Sequence, residues 1–211
     1  VMASTPGYDP NDLASARATK ALNSSPGAPL LNRTTVGLYP PGSTMKVVAA
    51  IAAIDSGRYE PASVVNGKNG VVISGTPLNN HGGEDYGNVD LTTALTQSIN
   101  TVWAQVAESL GKKTMAKYMD RLGFGRPIDV DLPEDERLAS GPYCRHGGRR
   151  VLVEPTDECV DIGRTAIGQA RLLTTPLQMA QVAASVANGG ILMRPVIATR
   201  ALDADGRTTL E

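Results

Sequence analysis

A serine and a lysine stand three positions apart where the sequence predicts the start of a buried helix. The segment reads Tyr39-Pro40-Pro41-Gly42-Ser43-Thr44-Met45-Lys46. Its prolines and glycine predict a turn, and Ser43 is of a residue type that favours a helix start. Residues three apart share one face of a helix, so Ser43 and Lys46 are expected to be neighbours. A serine hydroxyl needs a base to become a nucleophile, and Lys46 is the base that this segment offers.

Lys46 can accept a proton only when its amine is neutral. The pKa of an ordinary lysine is about 10.4, whereas a general base at neutral pH needs a pKa of about 7 to 8. Burial and the positive end of a helix both lower a lysine pKa. Residues 47–54 form the longest unbroken apolar run of the chain. The helix predicted over residues 44–55 is therefore expected to be buried, which would give the pair a rigid mounting.

Histidine, the usual base for a serine nucleophile, is scarce in this sequence. His81 and His146 are the only two histidines, and no Gly-x-Ser-x-Gly turn occurs. A Ser-His-Asp triad is therefore disfavoured. A zinc site that combines both histidines with Cys144 and Cys159 is disfavoured too, because the paired short spacings of structural zinc sites are missing. We expect neither a metal nor another cofactor.

Cys144 and Cys159 are the only cysteines and lie 15 positions apart. A disulfide between them would contribute about 3 kcal/mol by the chain-entropy estimate. Two free thiols are the alternative, and the spacing leaves both open. An extracytoplasmic location would favour the disulfide.

Composition limits the classes of function. A chain of 211 residues, 41% of them hydrophobic, is enough for one sizeable core, so residues 1–211 are expected to form one domain. The net charge is -1 and no long basic run occurs, which disfavours a nucleic-acid partner. The eight apolar residues of 47–54 are too few to span a bilayer, which takes about 18 or more. Within these residues we expect no signal peptide or membrane anchor.

Periodicity and capping residues predict a largely helical chain. Helices are predicted over residues 12–22, 44–55, 91–97, 101–110, 113–122 and 177–187. Asp90 and Thr175 are predicted helix caps. Residues 58–90 are predicted to form turns and small hairpins that line the site, residues 203–206 a hairpin turn, and residues 1–5 and 129–132 short strands.

A second polar motif supports chemistry at Ser43. Ser98-Ile99-Asn100 lies 55 positions further along the chain, between two predicted helices. Ser-x-x-Lys followed by Ser-x-Asn resembles the serine penicillin-binding proteins and β-lactamases. Further segments resemble, in order, the transpeptidase domain of class B penicillin-binding proteins, above all the actinobacterial members. These segments are residues 8–11, 32–33, 39–46, 98–100, 168–169, 175–180 and 187–190.

The resemblance implies an α/β (α+β) fold of the serine β-lactamase/transpeptidase type, with a helical subdomain and part of an antiparallel sheet. It implies that Ser43 is the acylated nucleophile and Lys46 its base. Ser98 would relay a proton to the leaving amine, and Asn100 would bind the amide carbonyl of the donor. The implied reaction is a D,D-transpeptidation that crosslinks peptidoglycan stem peptides, and β-lactam antibiotics would acylate the same serine.

The resemblance also implies a place in the cell. The protein would work at the extracytoplasmic face of the bacterial plasma membrane, held by an anchor outside these residues. A glycan polymerase would be its partner in cell division or cell shape. A β-lactam sensor domain, a D,D-carboxypeptidase and a β-lactamase remain alternatives. The lack of a Glu-x-x-Leu-Asn pattern counts against a class A β-lactamase.

The third family motif, Lys-Thr-Gly, does not occur in the sequence. The resemblance places that motif downstream on a strand, together with most of the sheet and half of the oxyanion hole. The domain is therefore expected to be incomplete at both ends.

We predict that residues 1–211 alone neither fold stably nor react with penicillin, because the resemblance places part of the site elsewhere. The measurement is labelling of the purified 211 residues by a fluorescent penicillin, with the full-length protein as the positive control. Labelling of Ser43 in the 211 residues alone would contradict the prediction.

Overall fold

The computed structural model describes residues 3–210, without the side chain of residue 210. Its helices are α1 Ala16–Asn23, α2 Lys46–Asp55, α3 Leu91–Thr96, α4 Asn100–Arg121, α5 Ile162–Ala166 and α6 Pro176–Ala187. Its strands are β1 Val64–Asn66, β2 Val71–Ile73, β3 Thr76–Leu78, β4 Asn88–Asp90, β5 Gly141–His146, β6 Arg149–Leu152, β7 Leu172–Leu173, β8 Ala201–Leu202 and β9 Thr208–Leu210. Within these described residues, no helix combines the length and the apolar character needed to cross a membrane.

Helix α2 is the centre of the core because its sequence is apolar on most faces. Val48, Ala49 and Ala52 are fully buried. The helix packs chiefly against α4, and its small alanine side chains allow the two backbones to approach closely. The predicted burial of this segment is confirmed, but α2 begins at Lys46 and not at residue 44, because Gly42–Met45 form a 3-10 turn.

Helix α4 consists of two helical segments joined at Gly111. The backbone there has φ 79° and ψ 161°, a conformation that glycine adopts far more readily than other residues. The sequence prediction of two helices separated at this glycine is therefore confirmed. Trp103 is 1% exposed and donates a hydrogen bond to the Ala94 carbonyl, 3.1 Å away. This bond ties the first segment of α4 to α3.

Within the part of the chain that the structure describes, the strands form four small antiparallel sheets. Strand β1 pairs with β4, β2 with β3 and β8 with β9, while β5 lies between β6 and β7. The first two pairs account for the turns and hairpins predicted in residues 58–90. The final pair contains the hairpin turn predicted for residues 203–206.

Two strand predictions differ from the structure. The strand predicted for residues 129–132 is wrong: Asp129 and Asp131 instead bind Arg194, at 2.9 and 2.7 Å, and take no part in a ladder. The prediction for residues 1–5 falls partly on residues 1 and 2, which lie outside the described residues. Residues 3–5 are not in a strand.

Side-chain caps fix where two helices begin, and a disulfide joins two further segments. The side chain of Asp90 accepts a hydrogen bond from the Thr93 amide at 2.7 Å, and that of Thr175 accepts one from the Gln178 amide at 3.2 Å. Both predicted caps are confirmed. In the structure Cys144 and Cys159 form a disulfide, which joins β5 to the segment before α5.

Replacing Gly163 with alanine is predicted to destabilise the fold by about 1 to 3 kcal/mol, because α5 packs tightly against α4 at this glycine. A Cβ atom there would lie 2.7 Å from Ile73 Cγ2 and 3.3 Å from the Ala104 carbonyl oxygen. Gly7→Ala is the matched control, since nothing lies within 4 Å of its Cβ position. Urea unfolding of the full-length protein measures both variants. Equal stability of Gly163→Ala and wild type would contradict the packing described.

Candidate active site

Ser43 is an exposed residue, whereas Lys46 is 1% exposed. Ser43 lies in the 3-10 turn Gly42–Met45, and Lys46 begins α2 directly afterwards. The distance from Lys46 Nζ to Ser43 Oγ is 3.2 Å. The turn thus places an accessible nucleophile within hydrogen-bond reach of a buried amine.

The turn that carries Ser43 is held against a second segment of the chain. The Gly42 amide donates to the Gly168 carbonyl at 3.1 Å. Gly168 has φ 72°, and a Cβ atom there would overlap the Gly42 carbonyl, so this position requires glycine. Upstream, Tyr39 and Thr174 exchange two backbone hydrogen bonds of 2.9 and 2.8 Å. These contacts fix the nucleophile turn from both sides.

Ser98 reaches Lys46 with two of its atoms. Lys46 Nζ donates to the Ser98 carbonyl oxygen at 2.5 Å and to Ser98 Oγ at 2.9 Å. Ser98 has φ 54°, a left-handed conformation that is uncommon for a residue other than glycine. Such strain persists only where the surrounding structure enforces it, and it occurs often at functional sites. Here it accompanies the approach of both oxygens to the amine.

Asn100 completes the contacts of the amine. Lys46 Nζ donates to Asn100 Oδ1 at 2.7 Å, and Asn100 Nδ2 donates to the Asn79 carbonyl at 3.0 Å. A carbonyl oxygen can only accept a hydrogen bond, so the Asn79 contact assigns the nitrogen of the carboxamide to that side. The carboxamide oxygen is thereby directed at Lys46.

The surroundings of Lys46 make its neutral form easier to reach than that of an ordinary lysine. The four oxygens within hydrogen-bond distance of Lys46 Nζ belong to uncharged groups. Burial lowers the pKa of Lys46 from 10.5 to about 8, because removal from water disfavours the ammonium form. A neutral amine has two N–H groups and one lone pair. The Ser98 carbonyl and Asn100 Oδ1 can take the two N–H groups, which leaves the lone pair for the Ser43 hydroxyl.

The structure brings together Ser43, Lys46, Ser98 and Asn100, four residues singled out in the sequence. The side-chain partner of Ser43 is thus a lysine, as the sequence predicted in preference to a histidine. The bonded Cys144 and Cys159 stand apart from these contacts, beside Arg171.

Sequence reasoning did not assign a role to Asn79, Asn80 or Gly168, although each contacts the site or its supports. The available signals were the repeated asparagines within a polar loop and a Gly-Gln pair before the last helix. Neither pattern predicts which segment these residues contact, because the contacts join parts of the chain that are far apart in sequence.

A family model described as the penicillin binding protein transpeptidase domain matches residues 1–210. The chain belongs to the penicillin-binding protein transpeptidase family. The class B resemblance found in the sequence is therefore confirmed, and with it the predicted fold class of helices and antiparallel sheets. The chain is similar to proteins and solved structures of several bacteria.

Two curated relatives show the extent of the similarity. Peptidoglycan D,D-transpeptidase PbpA of Mycobacterium tuberculosis is 33% identical over 206 residues, which cover 93% of this chain and 39% of that protein. Peptidoglycan D,D-transpeptidase MrdA of Escherichia coli K12 is 30% identical over 201 residues, which cover 92% of this chain and 31% of that protein. The chain thus spans less than half the length of these relatives.

Two solved structures show the same fold. A ceftriaxone acyl-enzyme complex of penicillin-binding protein A from M. tuberculosis has a TM-score of 0.83 at 32% identity and covers 98% of this chain and 46% of that one. PBP2 of Pseudomonas aeruginosa, in complex with WCK 5153, has a TM-score of 0.78 at 29% identity and covers 99% of this chain and 49% of that one.

The Lys46 amine is predicted to titrate at a pH of about 8 in the folded full-length protein, because it is buried among uncharged partners. The measurement is an NMR titration of lysine side chains, in which Lys46→Met identifies the signal by its loss. The amine is charged below this pH and neutral above it. A titration near the ordinary value of 10.5 would contradict the geometry described.

Proposed function

We propose that this penicillin-binding protein is a serine D,D-transpeptidase that crosslinks peptidoglycan stem peptides through an acyl-enzyme at Ser43. The observation that carries the proposal is the contact of Lys46 Nζ with Ser43, Ser98 and Asn100. The names of the relatives support it, since PbpA and MrdA are called peptidoglycan D,D-transpeptidases and the M. tuberculosis structure is an acyl-enzyme complex.

The proposed reaction begins with the Ser43 hydroxyl. The lone pair of neutral Lys46 takes its proton as Ser43 Oγ attacks the carbonyl carbon of the peptide bond between two D-alanines. The carbonyl π electrons move to the oxygen, which becomes an oxyanion. When the oxyanion collapses, the carbon–nitrogen bond breaks and the terminal D-alanine leaves as an amine. That amine needs a proton, and Ser98, 2.9 Å from the Lys46 nitrogen, can pass it on.

The second half of the reaction repeats these steps in reverse order. The amine of a neighbouring stem peptide attacks the Ser43 ester, and its proton returns through Ser98 and Lys46 to Ser43 Oγ. An amide crosslink forms and free Ser43 is regenerated. Asn100 would bind the amide of the donor peptide through its carboxamide, whose second Nδ2 hydrogen is not needed for the bond to Asn79. A β-lactam would enter the first half and remain attached to Ser43.

Several features of the proposal reach beyond the described residues. We propose an extracytoplasmic site of action at the plasma membrane, an anchor outside this sequence and a glycan polymerase as partner. The disulfide between Cys144 and Cys159 supports an oxidising location, because structural disulfides persist outside the cytoplasm.

In the full-length protein, a fluorescent penicillin is predicted to label wild type, and Ser43→Ala is predicted to abolish the label because the attacking oxygen is lost. Ser56→Ala is the matched control, since it removes a hydroxyl from the opposite end of α2. Lys46→Met should slow acylation by about 100-fold to 10,000-fold, the usual contribution of a general base. Labelling of Ser43→Ala at the wild-type rate would contradict the proposal.

Products separate the proposed transpeptidase from its alternatives. Incubation with donor and acceptor stem peptides should give a crosslinked product, and the penicilloyl enzyme should persist for hours. Release of D-alanine without a crosslink would instead indicate a carboxypeptidase, and rapid turnover of penicillin a β-lactamase. Stable acylation without any reaction of stem peptides would indicate a sensor domain.

A further inference from the structure

We propose that Asn80 is a positioning residue of the active site, which caps α4 from a neighbouring loop and thereby holds Asn100 in place. The inference rests on the proposed function, because Asn100 is considered there as the group that binds the donor amide. Its basis is a helix start that lacks a cap of its own. Helix α4 begins at Asn100, and Ile99, in the N-cap position, has no side-chain group that could accept a hydrogen bond. The first amides of a helix need acceptors from elsewhere.

Asn80 supplies such an acceptor. Its Oδ1 receives hydrogen bonds from the backbone amide and from the hydroxyl of Thr101, both at 3.1 Å. Thr101 is fully buried and Asn80 is 5% exposed, so water does not replace these bonds. The asparagine therefore performs the role of an N-cap residue, although it lies 21 positions away in the sequence.

The other polar groups of Asn80 are held as firmly. Its Nδ2 donates to the carbonyls of Gly67 and Glu84, at 2.9 and 3.0 Å, and its backbone amide donates to Asn69 Oδ1 at 2.9 Å. The two carbonyls fix which end of the carboxamide is the nitrogen, and therefore direct Oδ1 towards Thr101. A buried amide with its donors and acceptors engaged gives a defined position to the segments it joins.

Asn79, the residue before Asn80, contacts the Asn100 side chain directly. The Asn79 carbonyl accepts the hydrogen bond from Asn100 Nδ2 at 3.0 Å, and Asn100 Oδ1 then faces Lys46 at 2.7 Å. Asn79 and Asn80 thus hold two neighbouring parts of α4, the Asn100 side chain and the Thr101 backbone. If Asn80 is shortened, both contacts lose their common support, and the Asn100 carboxamide is free to turn away from the position that the donor amide requires.

A purely structural role would lower stability without altering selectivity, so selectivity is the quantity to measure. Penicillin G carries an acylated amine, whereas aminopenicillanic acid has a free amine at the same position. Only the first offers Asn100 an amide carbonyl. We therefore compare second-order acylation rate constants for the two compounds and use their ratio as the readout.

The experiment uses the full-length protein at a temperature well below unfolding. Asn80→Ala is expected to lower the ratio for penicillin G over aminopenicillanic acid by about tenfold, because one polar contact to the donor is lost. Tyr118→Phe is the matched control: it deletes a 2.7 Å hydrogen bond from the buried Tyr118 to the exposed Asp55 and should leave the ratio unchanged. An unchanged ratio in folded Asn80→Ala would overturn the inference.

A second pair of variants decides the question if Asn80→Ala does not fold. Thr101→Val removes the hydroxyl bond to Asn80 but keeps the size of the side chain, and it should lower the ratio by about threefold. Thr101→Ser restores a hydroxyl and should restore the ratio. Equal ratios in both variants would then overturn the inference. If wild type is not acylated at Ser43, the proposed function fails as well, whereas normal acylation with an unchanged ratio contradicts only the role of Asn80.

Discussion

The arrangement of the site depends on an amine that is buried without a counter-charge. Lys46 is 1% exposed, and the oxygens around its Nζ come from two hydroxyls, a carboxamide and a backbone carbonyl. A carboxylate in the same position would raise the pKa and keep the amine protonated. Neutral partners do the opposite: they satisfy the hydrogen bonds of the amine while burial lowers its pKa to about 8. The fold thereby allows a lysine, which is ordinarily a charged ammonium group, to act as a base.

Holding that amine requires backbone positions that are unfavourable by themselves. Ser98 adopts a positive φ, and Gly168 contacts Gly42 so closely that no side chain fits. The Asn80 side chain caps α4, whose own N-cap residue, Ile99, has no side-chain acceptor. The positive φ of Ser98 costs on the order of 1 kcal/mol or more, which the packing of the core helices must offset. Rigid support of this kind keeps reactive groups within the small tolerances that catalysis needs.

The sequence was informative where chemistry is local. The turn before Ser43, the burial of the helix after it and the caps at Asp90 and Thr175 follow from residue types and short spacings, and the structure agrees with them. The grouping of Ser43 with Ser98 was inferred from a resemblance, since nothing in the spacing of 55 residues states that two segments meet. Long-range contacts, in contrast, were not predictable.

Asn80 illustrates this limit. In the sequence it is one polar residue of a glycine-rich loop, and its buried contacts with Gly67, Glu84 and Thr101 depend on the final fold. The strand predicted at 129–132 failed for a related reason. Its alternating pattern resembled a strand, but its aspartates are used to bind Arg194. Periodicity describes a face of an element and does not identify its partner.

The central claim is that Ser43 is activated by a neutral Lys46, and the pH dependence of acylation tests it most directly. The second-order rate constant for penicillin G with the full-length protein should rise with pH and level off above a pKa of about 8, the value that burial gives Lys46. In Lys46→Met this rise should disappear together with most of the rate. A rate constant that does not change as the pH passes through about 8, or an inflection that persists in Lys46→Met, would contradict the account.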